Sequence, residues 1–186
     1  MTSRPVLSIL PTMALSLVLQ AWVVAPSFAL DLSILSDFGS SEIVHNAALV
    51  TQNGMSNRAQ ISQLIDAGGS TGHEAEINQV GSDNQALIEQ SGDLNRARIN
   101  QADSGNLANV TQTGFGNYLD LSQTGYGNSL YATQKGNNNS IIYSQPGSAT
   151  ANLVEIGNNN AINGAQPWGT TVNVRLEGNG LSVTVR

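Results

Sequence analysis

Glutamine returns along this chain at a fixed step, and that regularity restricts what the chain can fold into more than any other feature. Gln52, Gln63, Gln79, Gln90, Gln101, Gln112, Gln123, Gln134 and Gln145 are separated by 11, 16, 11, 11, 11, 11, 11 and 11 residues. Five residues after most of them stands an asparagine, at Asn57, Asn84, Asn95, Asn106, Asn117, Asn128 and Asn139. A glycine lies between the two at Gly54, Gly81, Gly92, Gly114, Gly125 and Gly136, which gives the unit Q-x-G-x-x-N-x-A-x-I-x. A short unit repeated this often cannot bury its apolar face alone and must stack on its neighbours.

The step of 16 is the same unit with an insertion of five, because Asp66-Ala67-Gly68-Gly69-Ser70-Thr71-Gly72 reads as a glycine-rich loop and the pattern resumes with His73 in the asparagine slot. Upstream, Asn46 to Gln52 adds one unit. Downstream the pattern degrades. Ile156 reads as the occupant of a glutamine slot with one residue missing before Gly157, Asn160 and Gln166 follow, and the phase then shifts. Only the alternations Val172, Val174, Leu176 and Leu181, Val183, Val185 remain. Thirteen units result, the last two atypical, as terminal repeats usually are.

Each unit reads as a strand and a tight turn. The seven residues from Asn to Gln alternate with period 2, and the next four hold the glycine that a turn with positive φ needs. In Asn95-Arg96-Ala97-Arg98-Ile99-Asn100-Gln101 the first face carries Asn95, Ala97, Ile99 and Gln101, and the other carries Arg96, Arg98 and Asn100. Ala86 and Ile88, Ala108 and Val110, and Leu119 and Leu121 share the first face, which must be the interior. The predicted fold is all-β: strand-turn-strand coils of 22 residues, stacked about 4.7–4.8 Å apart into an amyloid-like β-solenoid with two parallel sheets. Alternate units then share a sheet, so Glu74 and Glu76 lie beside Arg96 and Arg98, and these beside Tyr118 and Asp120. The glutamines and asparagines at the strand ends come to lie above one another. They are the candidate ladder residues, since a stacked amide both donates and accepts whereas stacked carboxylates would repel.

Composition excludes several functions. Charged residues make up 11% of the 186 and aromatics 5%, which is thin for an enzyme core. The net charge of −6 offers no basic surface for phosphates, so nucleic acid is not expected as a partner. There is no cysteine, and no catalytic, metal-binding or cofactor constellation is present. His45 and His73 are the only histidines, and His73 reads as structural. Aspartates are absent from most turns, which argues against a calcium-binding solenoid. Asp66, Asp83, Asp93 and Asp103 all fall in turns, where they serve solubility or, for Asp83, Asp93 and Asp103, act as gatekeepers that slow premature assembly.

Residues 1–29 have the form of a cleaved secretory leader. Arg4 stands near the start, an apolar stretch runs from Met13 to Ala25, and small residues precede the boundary at Ser27 and Ala29. Residues 30–45 form an N-terminal segment of uncertain order, and 46–186 the repeat solenoid, atypical after 166.

Stretches such as Gly54-Met55-Ser56-Asn57-Arg58-Ala59-Gln60-Ile61-Ser62-Gln63 and Gly92-Asp93-Leu94-Asn95-Arg96-Ala97-Arg98-Ile99-Asn100-Gln101 closely resemble the curlin repeat of the extracellular amyloid fibres called curli. The resemblance covers Asn46 to about Gln166. It implies export through a dedicated outer-membrane pore and assembly outside the cell, with itself and related curlin subunits as partners, into surface fibres that support adhesion and biofilm formation. It is closer to the minor, nucleating subunit than to the major one: Asp31 to Gln52 is not glycine-rich, the units carry Asn-Arg-Ala, and the chain ends Thr184-Val185-Arg186. The family's nucleators carry a basic last repeat, where this chain offers Arg175 and Arg186. The alternatives are the major fibre subunit and, more distantly, a non-polymerising solenoid that binds a repetitive surface ligand.

Overall fold

The computed structural model describes residues 16–23, 46–66 and 71–186. The rest of the expected leader, the segment 30–45 with His45, and residues 67–70 of the glycine-rich loop lie outside the described residues. The described residues form strands and no helix: β1 (Ser16–Val23), β2 (Ala47–Met55), β3 (Asn57–Ile65), β4 (Glu74–Ser82), β5 (Gln85–Asp93), β6 (Arg96–Ser104) and β7 (Leu107–Phe115). They continue as β8 (Tyr118–Gln123), β9 (Ser129–Asn137), β10 (Ser140–Gln145), β11 (Thr150–Asn158), β12 (Ala161–Ala165), β13 (Thr171–Glu177) and β14 (Ser182–Val185).

The chain alternates between two sheets, as a two-strand coil requires. One sheet runs β1-β3-β5-β7-β9-β11-β13 and the other β14-β12-β10-β8-β6-β4-β2. From β2 onward every pairing is parallel, and like stands beside like: Ile77 beside Ile99, Gln79 beside Gln101, Ala86 beside Ala108. The two-sheet β-solenoid read from the sequence is the fold that forms. Its interior is thin, with rows of alanine (Ala59, Ala86, Ala108) and of β-branched residues (Ile61, Ile88, Val110) almost wholly buried. Outside, Glu74 pairs with Arg96 at 3.1 Å and Glu76 with Arg98 at 2.9 Å, the match that fixed the expected register. Such exposed pairs add little stability.

The corners differ from the seven-residue strand and four-residue turn. Strands such as β4 and β7 are nine residues long and run on through the glycine, so Asp93 is the last residue of β5 and Asp103 the second-last of β6, and neither lies beyond its strand. The ladder continues around the corner because successive corners stack backbone on backbone. A Cβ at Gly114, where φ is +114°, would stand 2.2 Å from the carbonyl oxygen of Gly136. Glycine is therefore needed for the close approach as well as for the dihedral.

The downstream register also differs from the sequence reading. The residue beside Gln134 is Glu155, and Ile156 stands beside Lys135 on the outer face. The missing residue lies earlier, in the corner Pro146-Gly147-Ser148, after which Ala149 takes the asparagine slot. The corner Pro167-Trp168-Gly169 is shortened in the same way. That one-residue loss is the phase shift after Gln166, and the sheet register survives it, since Val172 stays beside Ala151 and Val174 beside Leu153.

One strand was not legible as such. β1, inside the expected leader, lies antiparallel on the outer edge of β3, with Leu17 opposite Gln63.

The corner geometry predicts that Gly114→Ala costs more than about 3 kcal/mol, whereas Gly127→Ala, with φ +66° and nothing within 4 Å of the added Cβ, costs only the left-handed penalty of about 1–2 kcal/mol. Denaturant midpoints of the two variants would check this ordering.

Candidate functional site: buried amide ladders and the ends of the stack

Parallel stacking at constant register brings the repeat glutamines into two buried files. In one, the Nε2 of Gln52 donates to Oε1 of Gln79 at 2.7 Å, and the chain continues through Gln101, Gln123 and Gln145 at 2.8 Å each to Gln166 at 3.1 Å. In the other, Gln63 donates to Gln90 at 2.9 Å, Gln90 to Gln112 and Gln112 to Gln134 at 2.8 Å, and Gln134 to Oε2 of Glu155 at 2.9 Å. The second amide hydrogen crosses between the sheets, as where Gln112 donates to the carbonyl of Arg96 at 2.9 Å and Gln123 to that of Leu107 at 2.9 Å. Each interior glutamine thus joins its own sheet vertically and the opposite strand laterally. A buried amide carries a desolvation cost, and this arrangement offsets it by using both its carbonyl and its hydrogens.

Asparagines occupy the strand starts and bond in the opposite sense. The backbone N–H and the Nδ2 of Asn117 donate to Oδ1 of Asn95 at 3.0 and 2.9 Å, and Asn139 repeats this on Asn117 at 3.1 and 3.0 Å. Asn106 and Asn128 do the same one sheet over, on Asn84 and Asn106. Nδ2 also donates forward to a corner carbonyl, as from Asn57 to Gly81 at 2.9 Å and from Asn117 to Gly136 at 2.8 Å. One asparagine therefore holds three coils.

His73 shows what the slot demands. Its Nδ1 accepts from the backbone N–H of Asn95 at 3.2 Å and its Nε2 donates to the carbonyl of Leu64 at 3.0 Å, so both ring nitrogens are engaged and the proton sits on Nε2. The aspartates do not converge. Asp103 accepts from the N–H of Gly125 at 2.8 Å, Asp93 accepts from the Thr71 hydroxyl at 2.9 Å, and Asp83 sits at a corner with φ 57°. Among the described residues no three His, Asp or Glu side chains gather to hold a metal ion.

Sequence reasoning missed Glu155 as a member of the glutamine file, although counting eleven residues back from Gln166 would have found it. It is fully buried, and its Oε1 has no partner. Burial pushes its carboxyl up to about 7, against the opposing hydrogen bonds from Gln134 and the Ile162 backbone. Tyr143, whose hydroxyl donates to Oε1 of Gln166 at 3.3 Å, is pushed by burial to about 12. The files stop at chemically different ends. Toward β2 and β3, Oε1 of Gln52, Oε1 of Gln63 and Nδ2 of Asn46 are buried and unpartnered. Toward β13, Leu176 stands beside Glu155 where a further glutamine would be.

Because the folded protein holds the Glu155 proton more tightly than the unfolded chain, acidification from about pH 7 to 4.5 stabilises the fold, and the gain is lost as pH rises through about 7. The difference is on the order of 3 kcal/mol. Glu155→Gln should flatten this dependence and raise stability at pH 8, as read by denaturant midpoints from pH 4 to 8.

Comparison with known protein families adds an independent finding. The curlin associated repeat matches at residues 73–102, 81–114 and 116–147, within the stretch from His73 in the asparagine slot through β4 to β10. Comparisons with curated proteins and with solved structures gave no match. Three matches fall on the coils whose amide files are most regular, and the same register extends to β2 on one side and β14 on the other. The chain carries the curlin associated repeat in three stretches between residues 73 and 147.

Proposed function

We propose that this protein is a structural subunit of extracellular curli-type fibres and that it acts as the minor subunit, nucleating polymerisation by presenting a solenoid edge as template. The observation that carries the reading is the pair of buried glutamine files, continuous from coil to coil and open at one end. A parallel sheet whose last strand is unpaired continues by adding another strand, and a file of amides with free acceptors selects a strand that brings amides in register. Curlin-family proteins are structural components of extracellular curli fibres, and self-assembly with curlin subunits is what the matched repeats imply. The minor-subunit reading is supported by the Asn-Arg-Ala units and by a last coil with Leu176, Thr170 and Leu181 in amide slots, which reads as a terminus and not as a link.

Residues 1–29 are the export leader on this reading, so cleavage after Ala29 removes β1 from the edge of β3. The curli secretion and assembly machinery of the outer membrane then passes the chain to the cell surface, where the fibres support adhesion and biofilm. N-terminal sequencing of the secreted chain should begin at Leu30. The test of function is thioflavin fluorescence against time for the secreted chain, alone and as a small seed added to a major-type curlin subunit. Self-assembly together with a strongly shortened partner lag is expected. Fibres without cross-seeding would instead make it the major subunit, and a stable soluble monomer would make it a binding solenoid.

Asp83, Asp93 and Asp103 act here as gatekeepers, their charges opposing close approach of corners before export. Replacing all three by asparagine should shorten the lag of self-assembly severalfold. An unchanged lag returns them to a role in solubility.

A further inference from the structure

The two ends of the stack are not equivalent, and the difference names the partner. At the β2–β3 end the buried carbonyl oxygens of Gln52 and Gln63 lack a donor and the buried Nδ2 of Asn46 lacks an acceptor. In every interior coil the Oε1 of the file glutamine is filled by Nε2 from the glutamine one coil nearer the N-terminus, and at Asn106, Asn117, Asn128 and Asn139 the equivalent Nδ2 donates to Oδ1 of the preceding asparagine. The missing groups are thus two amide donors and one amide acceptor, the set that the last coil of an ordinary curlin chain presents. A second copy of this chain cannot supply that set: stacked coil on coil it would bring Leu176 against Gln63 and Leu181 against Asn46, because these residues hold the slots above Glu155 and Asn160. The strand now lying on β3 does not supply it either, being antiparallel with Leu17 opposite Gln63.

We propose that the β2–β3 coil is the templating end and that it receives the C-terminal coil of a related curlin subunit with glutamine in both file positions, in preference to another copy of this chain. This rests on the nucleator reading and adds its polarity and partner chemistry. Growth then proceeds from one face only, and the apolar coil of β13 and β14 remains at the base of the fibre.

The test uses fibre seeds of the secreted chain and two monomers, wild type and Leu176→Gln/Leu181→Asn, the latter restoring amides opposite Gln63 and Asn46. On wild-type seeds the double variant should elongate about tenfold faster than wild type, the factor expected for one to two recovered hydrogen bonds. The advantage should vanish on Gln52→Leu/Gln63→Leu seeds. Equal rates of the two monomers on wild-type seeds would overturn the proposal while leaving nucleation intact. Failure of wild-type seeds to shorten the lag of a major-type subunit would remove the nucleator reading and the proposal with it. Should the glutamine variant not fold by circular dichroism, wild-type seeds carrying a gold tag at the C-terminus decide the matter by electron microscopy. Growth from the untagged end supports the assignment and growth from the tagged end overturns it.

Discussion

The hydrogen bond between stacked glutamine side chains is the constraint on which the rest of the structure depends. A parallel sheet with a uniform alternating face can slip by two residues and still keep its apolar side inward. Here such a slip would leave a row of buried amides without partners, each at the full cost of an unsatisfied polar group. Register is therefore fixed by the polar atoms inside the solenoid, while the alanine and isoleucine rows supply most of the burial. The interior is so thin that the corners must approach closely, and this places glycine where backbone meets backbone.

How much of this was legible follows from where the repeat is strict. The eleven-residue step gave the two parallel sheets, and the alternation of Glu74 and Glu76 with Arg96 and Arg98 gave the pairing of every second unit, because opposite charges cannot be matched between consecutive units. Legibility failed where the repeat changes length. Shortening at Pro146-Gly147-Ser148 moved the glutamine slot onto Glu155, and a forward count put it on Ile156, since an apolar residue in a degenerate unit looks like a degraded inward position. Strand length was misjudged because the sequence shows what a glycine permits in its own dihedrals, and not that the next coil's carbonyl will sit against it.

The site residues divide along the same line. Glutamine and asparagine positions could be named from period alone, yet their different tasks could not. The glutamine reaches across to the other sheet, and the asparagine grips the coil behind and the corner ahead. His73 substitutes for asparagine because a neutral imidazole, like an amide, offers one donor and one acceptor on opposite edges. Leucine at 176 and 181 offers neither, and that loss makes one end of the molecule unlike the other.

The opposed sense of bonding in the two kinds of file has an electrostatic consequence. Glutamine carbonyls point toward the N-terminal end of the stack and asparagine carbonyls toward the C-terminal end. The axial dipoles of one file therefore offset those of the other within each coil. A stack built of one file alone would gather a growing charge separation between its ends, much as a helix does over its first and last turns. The opposed files limit that separation here, so the end-to-end field of a long stack grows less with each added coil than a single file would make it grow.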